Sequence, residues 1–204
     1  MNTKFPSSFQ LAYGKKYLQV DLPSNLDVEV ISPTDSAPAD DPMQAVKDAL
    51  EIPLNGLALK HFRGAKSAII AVNDKTRPVP HQYILPPLLD ALKNIGITRE
   101  NIKIIIATGT HKPMPQEEID ALLPAEIIRN YQIVSHDCDD EVNLSYIGET
   151  SRGTPVWINS LVWKSDLRIV TGNIEPHHFM GFSGGAKSLS IGCCGRKTIN
   201  KNHE

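Results

Sequence analysis

Ser67-Ala-Ile-Ile-Ala-Val72 and Ile102-Lys-Ile-Ile-Ile-Ala107 decide the fold. Both are short, rich in β-branched residues and nearly free of polar alternation. β-branched side chains fit a pleated surface better than a helix. A strand that is apolar on both faces is covered on both faces, as in a parallel sheet packed between helices. The intervening chain agrees. Tyr83 to Ile95 reads as a helix, irregular at its start through Pro86-Pro87 and stopped by Gly96. Beyond the second strand, Gln116 to Leu123 reads as helix and Tyr131 to Ser135 as strand. Further strands are expected at Leu144 to Gly148, Pro155 to Ile158 and Leu167 to Thr171.

Upstream, Asp41 caps a helix from Pro42 to Glu51, with Met43, Val46, Ala49 and Leu50 on one face. Before it, Tyr17 to Leu22 and Leu26 to Ile31 alternate apolar and polar residues around a turn at Pro23-Ser24-Asn25. The expected fold is therefore α/β: a mainly parallel sheet flanked by helices, preceded by a β-rich N-terminal segment.

The chain has 204 residues, room for one large or two small domains. It is 41% hydrophobic and 22% charged, with a net charge of −2. There is no basic field for nucleic acid. The longest apolar runs are too short to span a bilayer. Met1 to Gln10 lacks the apolar core of a signal peptide, and three cysteines do not build a disulfide framework. A cytoplasmic enzyme is the expectation.

Each buried strand runs into polar residues. Val72 leads into Asn73-Asp74-Lys75-Thr76-Arg77-Pro78. Ala107 leads into Thr108-Gly109-Thr110-His111-Lys112-Pro113. Val170 leads into Thr171-Gly172-Asn173-Ile174-Glu175-Pro176-His177-His178. In open α/β sheets ligands sit outside the carboxyl ends of the strands, so these loops are expected on one rim. Arg77 offers a planar fork for a carboxylate or phosphate, although a surface ion pair closing a turn fits the spacing equally. His111 suits general-base chemistry near neutral pH. As one histidine in isolation, it fits a structural hydrogen bond better.

The densest stretch ends in Gly181-Phe-Ser-Gly-Gly-Ala-Lys-Ser188. Its glycines let backbone approach a ligand, and Lys187 and Ser188 fall where a helix would begin, a favourable place for phosphate. The stretch almost matches a nucleotide-binding P-loop but carries Ala186 where that motif has glycine, and it does not follow its strand directly. A phosphate-ligand domain using residues 181–188 stays open as an alternative. Cys193-Cys194 could add soft metal ligands, although buried cysteines are more often inert packing.

Taken together, Asn73 to Pro78, Ala107 to Pro113, Gly172 to Ser188 and Thr198-Ile-Asn-Lys-Asn-His203 resemble the nickel-pincer lactate racemase family, in order and spacing. The resemblance implies a pyridinium mononucleotide bearing a thioamide and a thiocarboxylate, tethered to Lys187 and holding nickel through its sulfurs and a ring carbon. It implies His203 as the protein's nickel ligand and His111 and His177 as paired acid/base groups. Arg77 is implied as the substrate-positioning residue. Asp74, Gly184, Gly185 and Ser188 are implied around the cofactor. The implied reaction is racemisation or epimerisation of a 2-hydroxy acid, lactate or a relative, by hydride transfer to the cofactor. Cofactor-making enzymes are the implied partners. Family proteins are about twice as long, so residues 1–204 are expected to be the cofactor-tethering domain of a two-domain enzyme, inactive alone. His203, so close to the terminus, is expected to fray.

Overall fold

The computed structural model describes residues 8–32, 34–177 and 181–204. They fall into two compact units, divided between Pro38 and Ala39.

In the first unit, β1 (Ser8–Tyr13) pairs antiparallel with β2 (Lys16–Asp21), Leu11 opposite Leu18. The hairpin turns at Gly14, whose φ of 59° is the conformation that a tight two-residue connection needs. The sequence places this hairpin one strand too late. Leu26 to Ile31 is irregular, and Tyr17 to Leu22 pairs backward across Gly14 rather than forward across Pro23-Ser24-Asn25. Alternation marks a strand but does not name its partner.

In the second unit, α1 (Pro42–Glu51) begins as expected, with the Asp41 carboxylate accepting from the Gln44 amide. The central sheet follows: β3 (Ala68–Asn73), β4 (Ile102–Ala107), β5 (Gln132–Ser135) and β8 (Leu167–Val170). All are parallel, in the order β5-β4-β3-β8. Helix α2 (His81–Asn94) joins β3 to β4, with Pro86 and Pro87 inside it rather than at its start. Helices α3 (Gln116–Leu122) and α4 (Ala125–Asn130) lie between β4 and β5. The segments 144–148 and 155–158 are strands, but outside this sheet. They form the antiparallel pair β6 (Leu144–Glu149) and β7 (Pro155–Asn159), followed by α5 (Ser160–Lys164).

The all-apolar strands follow from the two cores they serve. Ala68, Ile70 and Val72 of β3, with Ile102, Ile104 and Ile106 of β4, pack against Leu85, Leu88, Leu89 and Leu92 of α2. The alternate residues Ile69, Ala71 and Ile105 pack on the other face against Val162 and Cys193. Chain order moves from β3 outward through β4 to β5, then returns to β3's other edge with β8. That reversal opens a crevice at the carboxyl ends of β3 and β8, where an α/β sheet presents its ligand site. Past β8 come the short pair β9 (Pro176–His177) and β10 (Gly181–Phe182), then α6 (Ala186–Ser190) and α7 (Arg196–His203). Among the described residues no helix is long and apolar enough to cross a membrane.

Candidate active site

Two tight turns build the first part of the site. After β3, the Arg77 amide donates to the Asp74 carbonyl (3.0 Å), and after β4 the His111 amide donates to the Thr108 carbonyl (3.0 Å). Gly109 permits the second turn with φ 58°. The turns bring Asp74 and His111 together, with Asp74 Oδ2 2.6 Å from His111 Nδ1. The other carboxylate oxygen accepts from the Thr76 amide (3.0 Å) and hydroxyl (2.6 Å). Asp74 is only 5% exposed, so these bonds fix it. A carboxylate only accepts, which places a proton on His111 Nδ1 and leaves Nε2 as the acceptor when the ring is neutral.

The second part is the glycine-rich segment. β10 folds back on β9, pairing Gly181 with His177. The segment therefore enters α6 from a small hairpin, not from a sheet strand as a P-loop does. Asn73 ties it to the sheet: its Nδ2 donates to Asn173 Oδ1 (3.1 Å), and its Oδ1 accepts from the Ser188 hydroxyl (3.2 Å). Ser188 is buried, with its amide donating to the Gly185 carbonyl and its hydroxyl to Asn73. Both donors thus serve the fold, which argues against Ser188 as a phosphate-binding hydroxyl. Gly184 has φ 73°, and a Cβ there would fall 2.5 Å from the Asn173 carbonyl oxygen.

One cleft of about 200 Å³ is lined by Asp74, Arg77, His111, His177, Gly184, Lys187, Ser188 and His203. Gly185 falls outside its lining, as do the candidate thiols Cys193 and Cys194. Gly185 caps α6 instead, with φ 54°. Burial pushes the Lys187 amine below its usual range, and the Arg77 charge adds to the effect. Arg77 Nη1 stands 3.7 Å from Glu175 Oε2, so its fork already has a carboxylate neighbour. His203 is the last residue of α7. Its Nδ1–H donates to the Ile199 carbonyl (2.7 Å), and Ile199 and Thr198 are buried beneath. His178 lies outside the described residues. Asn73, Glu175 and the buried His136 were not singled out from sequence. Asn73 ends β3 and His136 follows β5, the same strand-end signal that marked Asp74 and His111, whereas Glu175 precedes β9, outside the parallel sheet.

A parallel sheet whose carboxyl edge gathers histidines, a lysine and an arginine defines an α/β ligand-binding domain. The chain belongs to the family of the lactate racemase N-terminal domain, whose model matches residues 13–204. It is 36% identical over 200 residues to a lactate racemase of Thermoanaerobacterium thermosaccharolyticum, across 97% of this chain and 47% of that protein. It is 37% identical over 161 residues to a lactate racemase of Lactiplantibacillus plantarum, across 78% of this chain and 38% of the other. The lactate racemase apoprotein structure from T. thermosaccharolyticum superposes with a TM-score of 0.83 at 35% identity, covering 94% of this chain and 45% of that one. A Thermotoga maritima protein shares the fold, with a TM-score of 0.64 at 22% identity over 80% of this chain and 41% of its own. The chain thus spans less than half the length of the curated relatives it matches.

Proposed function

We propose that this chain is the cofactor-bearing domain of a racemase or epimerase acting on a 2-hydroxy acid, lactate or a related acid. The observation that carries the reading is the shared cleft: His111 held by buried Asp74, with His177, Lys187 and Arg77 around the same space. Membership of the lactate racemase family supports it.

The residues present fit a lysine-tethered nickel-pincer nucleotide. Lys187 faces the cleft with an amine that burial makes easier to deprotonate, as an amide-forming nucleophile requires. His203 lines the same cleft and would supply an imidazole, a ligand suited to nickel. When bound, the cofactor would supply the acceptor and donor of the hydride.

The protein's own groups do the rest. Arg77 holds the substrate carboxylate, exchanging Glu175 for it. His111 receives the hydroxyl proton at Nε2, and the imidazolium that forms is stabilised by Asp74 at 2.6 Å from Nδ1. The substrate carbon becomes planar as it reaches the 2-oxo state. His177 serves the hydroxyl of the opposite enantiomer, since the two hydroxyls point to different sides. The test follows chirality with a substrate deuterated at the hydroxyl-bearing carbon, using a full-length enzyme that includes this domain, co-expressed with cofactor-making enzymes. Inversion with a primary isotope effect and retention of the label is expected. Exchange of that deuterium with solvent would replace hydride transfer with proton abstraction.

A further inference from the structure

His136 is 0% exposed and follows β5 at the carboxyl edge of the sheet, yet it lines no part of the cleft. Its hydrogen bonds fix its protonation. Asn159 Oδ1 accepts from the Leu161 amide (3.0 Å), which leaves Asn159 Nδ2 as the group facing His136 Nδ1 at 3.3 Å. An amide nitrogen can only donate, so Nδ1 is the acceptor. The ring proton is then on Nε2, which donates to the Cys194 carbonyl at 2.9 Å. Burial lowers the ring's pKa, and the Cys194 carbonyl opposes this only in part. The backbone of His136 is also pinned: its amide donates to the Ile106 carbonyl (3.1 Å), and its carbonyl accepts from the Thr108 hydroxyl (2.7 Å).

Cys194 lies in the connector 191–195, between α6 with Lys187 and α7 with His203. Backbone bonds hold this connector at its other points: Gly109 N–H to Gly192 O (3.0 Å), Asn159 N–H to Cys193 O (2.8 Å) and Gly195 N–H to Trp157 O (2.8 Å). His136 reaches it with a side chain, and through Thr108 it also touches the turn that delivers His111. We infer that His136, as the neutral Nε2–H tautomer, is a positioning residue that fixes the connector and so sets His203 against Lys187 across the cleft. Its bearing on nickel rests on the proposed function; its bearing on His203 does not.

The test uses the protein with ¹⁵N-labelled histidines. His136 is expected to give a neutral ring protonated on Nε2 at neutral pH. In cofactor-free protein, His136→Asn stops short of Cys194 and should move the His203 ring signals while the ring signals of His111, held by Asp74, stay in place. His136→Gln carries an amide N–H far enough to bond Cys194 and should return His203 to its original signals. In protein loaded by co-expression, His136→Asn should keep the Lys187 adduct and lose nickel per adduct roughly tenfold, with recovery in the Gln variant. An Nδ1–H or charged ring overturns the inference. So does a folded His136→Asn protein with unmoved His203 signals. Equal loss of melting temperature in both variants, with His111 and His203 shifted alike, shows a packing role and also overturns it. Should the Asn variant not fold, the ring tautomer and the Gln variant's His203 signals decide. Absence of any adduct or racemisation in the parent protein would sink the proposed function and leave the cofactor-free measurements to judge His136.

Discussion

A carboxylate buried behind a histidine does two separable jobs: it chooses which ring nitrogen faces the ligand, and it steadies the charge that proton uptake creates. Asp74→Asn removes the second while keeping much of the shape. It should lower racemase turnover by a factor on the order of 10²–10⁴, as should His111→Ala and His177→Ala, because a positioned acid/base group contributes that much. Steady-state kinetics on loaded enzyme measures this, and near-parent turnover in the His177 variant would remove that residue from the mechanism. Glu175 makes a different demand. It stands 3.7 Å from Arg77, and both side chains are about half exposed. Substrate carboxylate and Glu175 therefore compete for one guanidinium. Glu175→Gln should lower KM for the 2-hydroxy acid roughly two- to fivefold with little change in kcat, in line with an exposed ion pair. An unchanged KM would mean the pair is already open. The positions of Asp74, Arg77, His111 and His177 were legible in the sequence because strand ends were. The Asp74–His111 pairing was not, since the two lie in turns that follow different strands.

At the level of elements, the glycine-rich segment and α6 are held by close approach. Gly184 would place a Cβ 2.5 Å from the Asn173 carbonyl oxygen, and Gly192 would place one 2.5 Å from the Ser188 carbonyl oxygen and 2.8 Å from Ala107 Cβ. None of these three obstacles is the flexible end of a side chain. Gly184→Ala and Gly192→Ala should each cost roughly 2–4 kcal/mol of stability, read from denaturant midpoints. Lys187→Ala should preserve the fold and abolish the covalent adduct, which intact-mass measurement reports; an adduct of unchanged yield would place the tether elsewhere. The buried strands of the sheet were readable because continuous apolar character needs cover on both faces. The hairpins were harder. Register at β1 and β2 depends on which alternating segment meets which, and Gly14 settles that only once its backbone is seen. The strands β6 and β7 carry the same local signal as sheet strands, and only their pairing separates them.

For the second unit as a whole, acid sensitivity has an identifiable source. His81 is buried at the start of α2, and neither ring nitrogen has a partner among the described residues. Burial pushes its pKa down to about 4. In the unfolded chain the ring takes a proton near pH 6.5, so between that pH and about 4 the unfolded state binds the extra proton. His81 contributes fully above pH 6.5, and roughly 3 kcal/mol is lost as the pH falls through that window. His81→Leu should flatten the stability profile there, measured by urea unfolding across the range. A variant that keeps the parent slope would assign the acid loss to other groups, His136 among them. The thiols carry a last consequence. Cys193 sits against the sheet, while Cys138 and Cys194 share a separate apolar cluster with Ile191 and Ile199. All three are free and buried, and burial pushes Cys194 up to about 12 and Cys193 higher still. A thiol that is neither exposed nor ionised reacts with an alkylating reagent only after its surroundings part. The chain thus contains its own opening clocks: the alkylation rate of Cys193 times the uncovering of the sheet, and that of Cys138 and Cys194 times the release of the connector beneath α7.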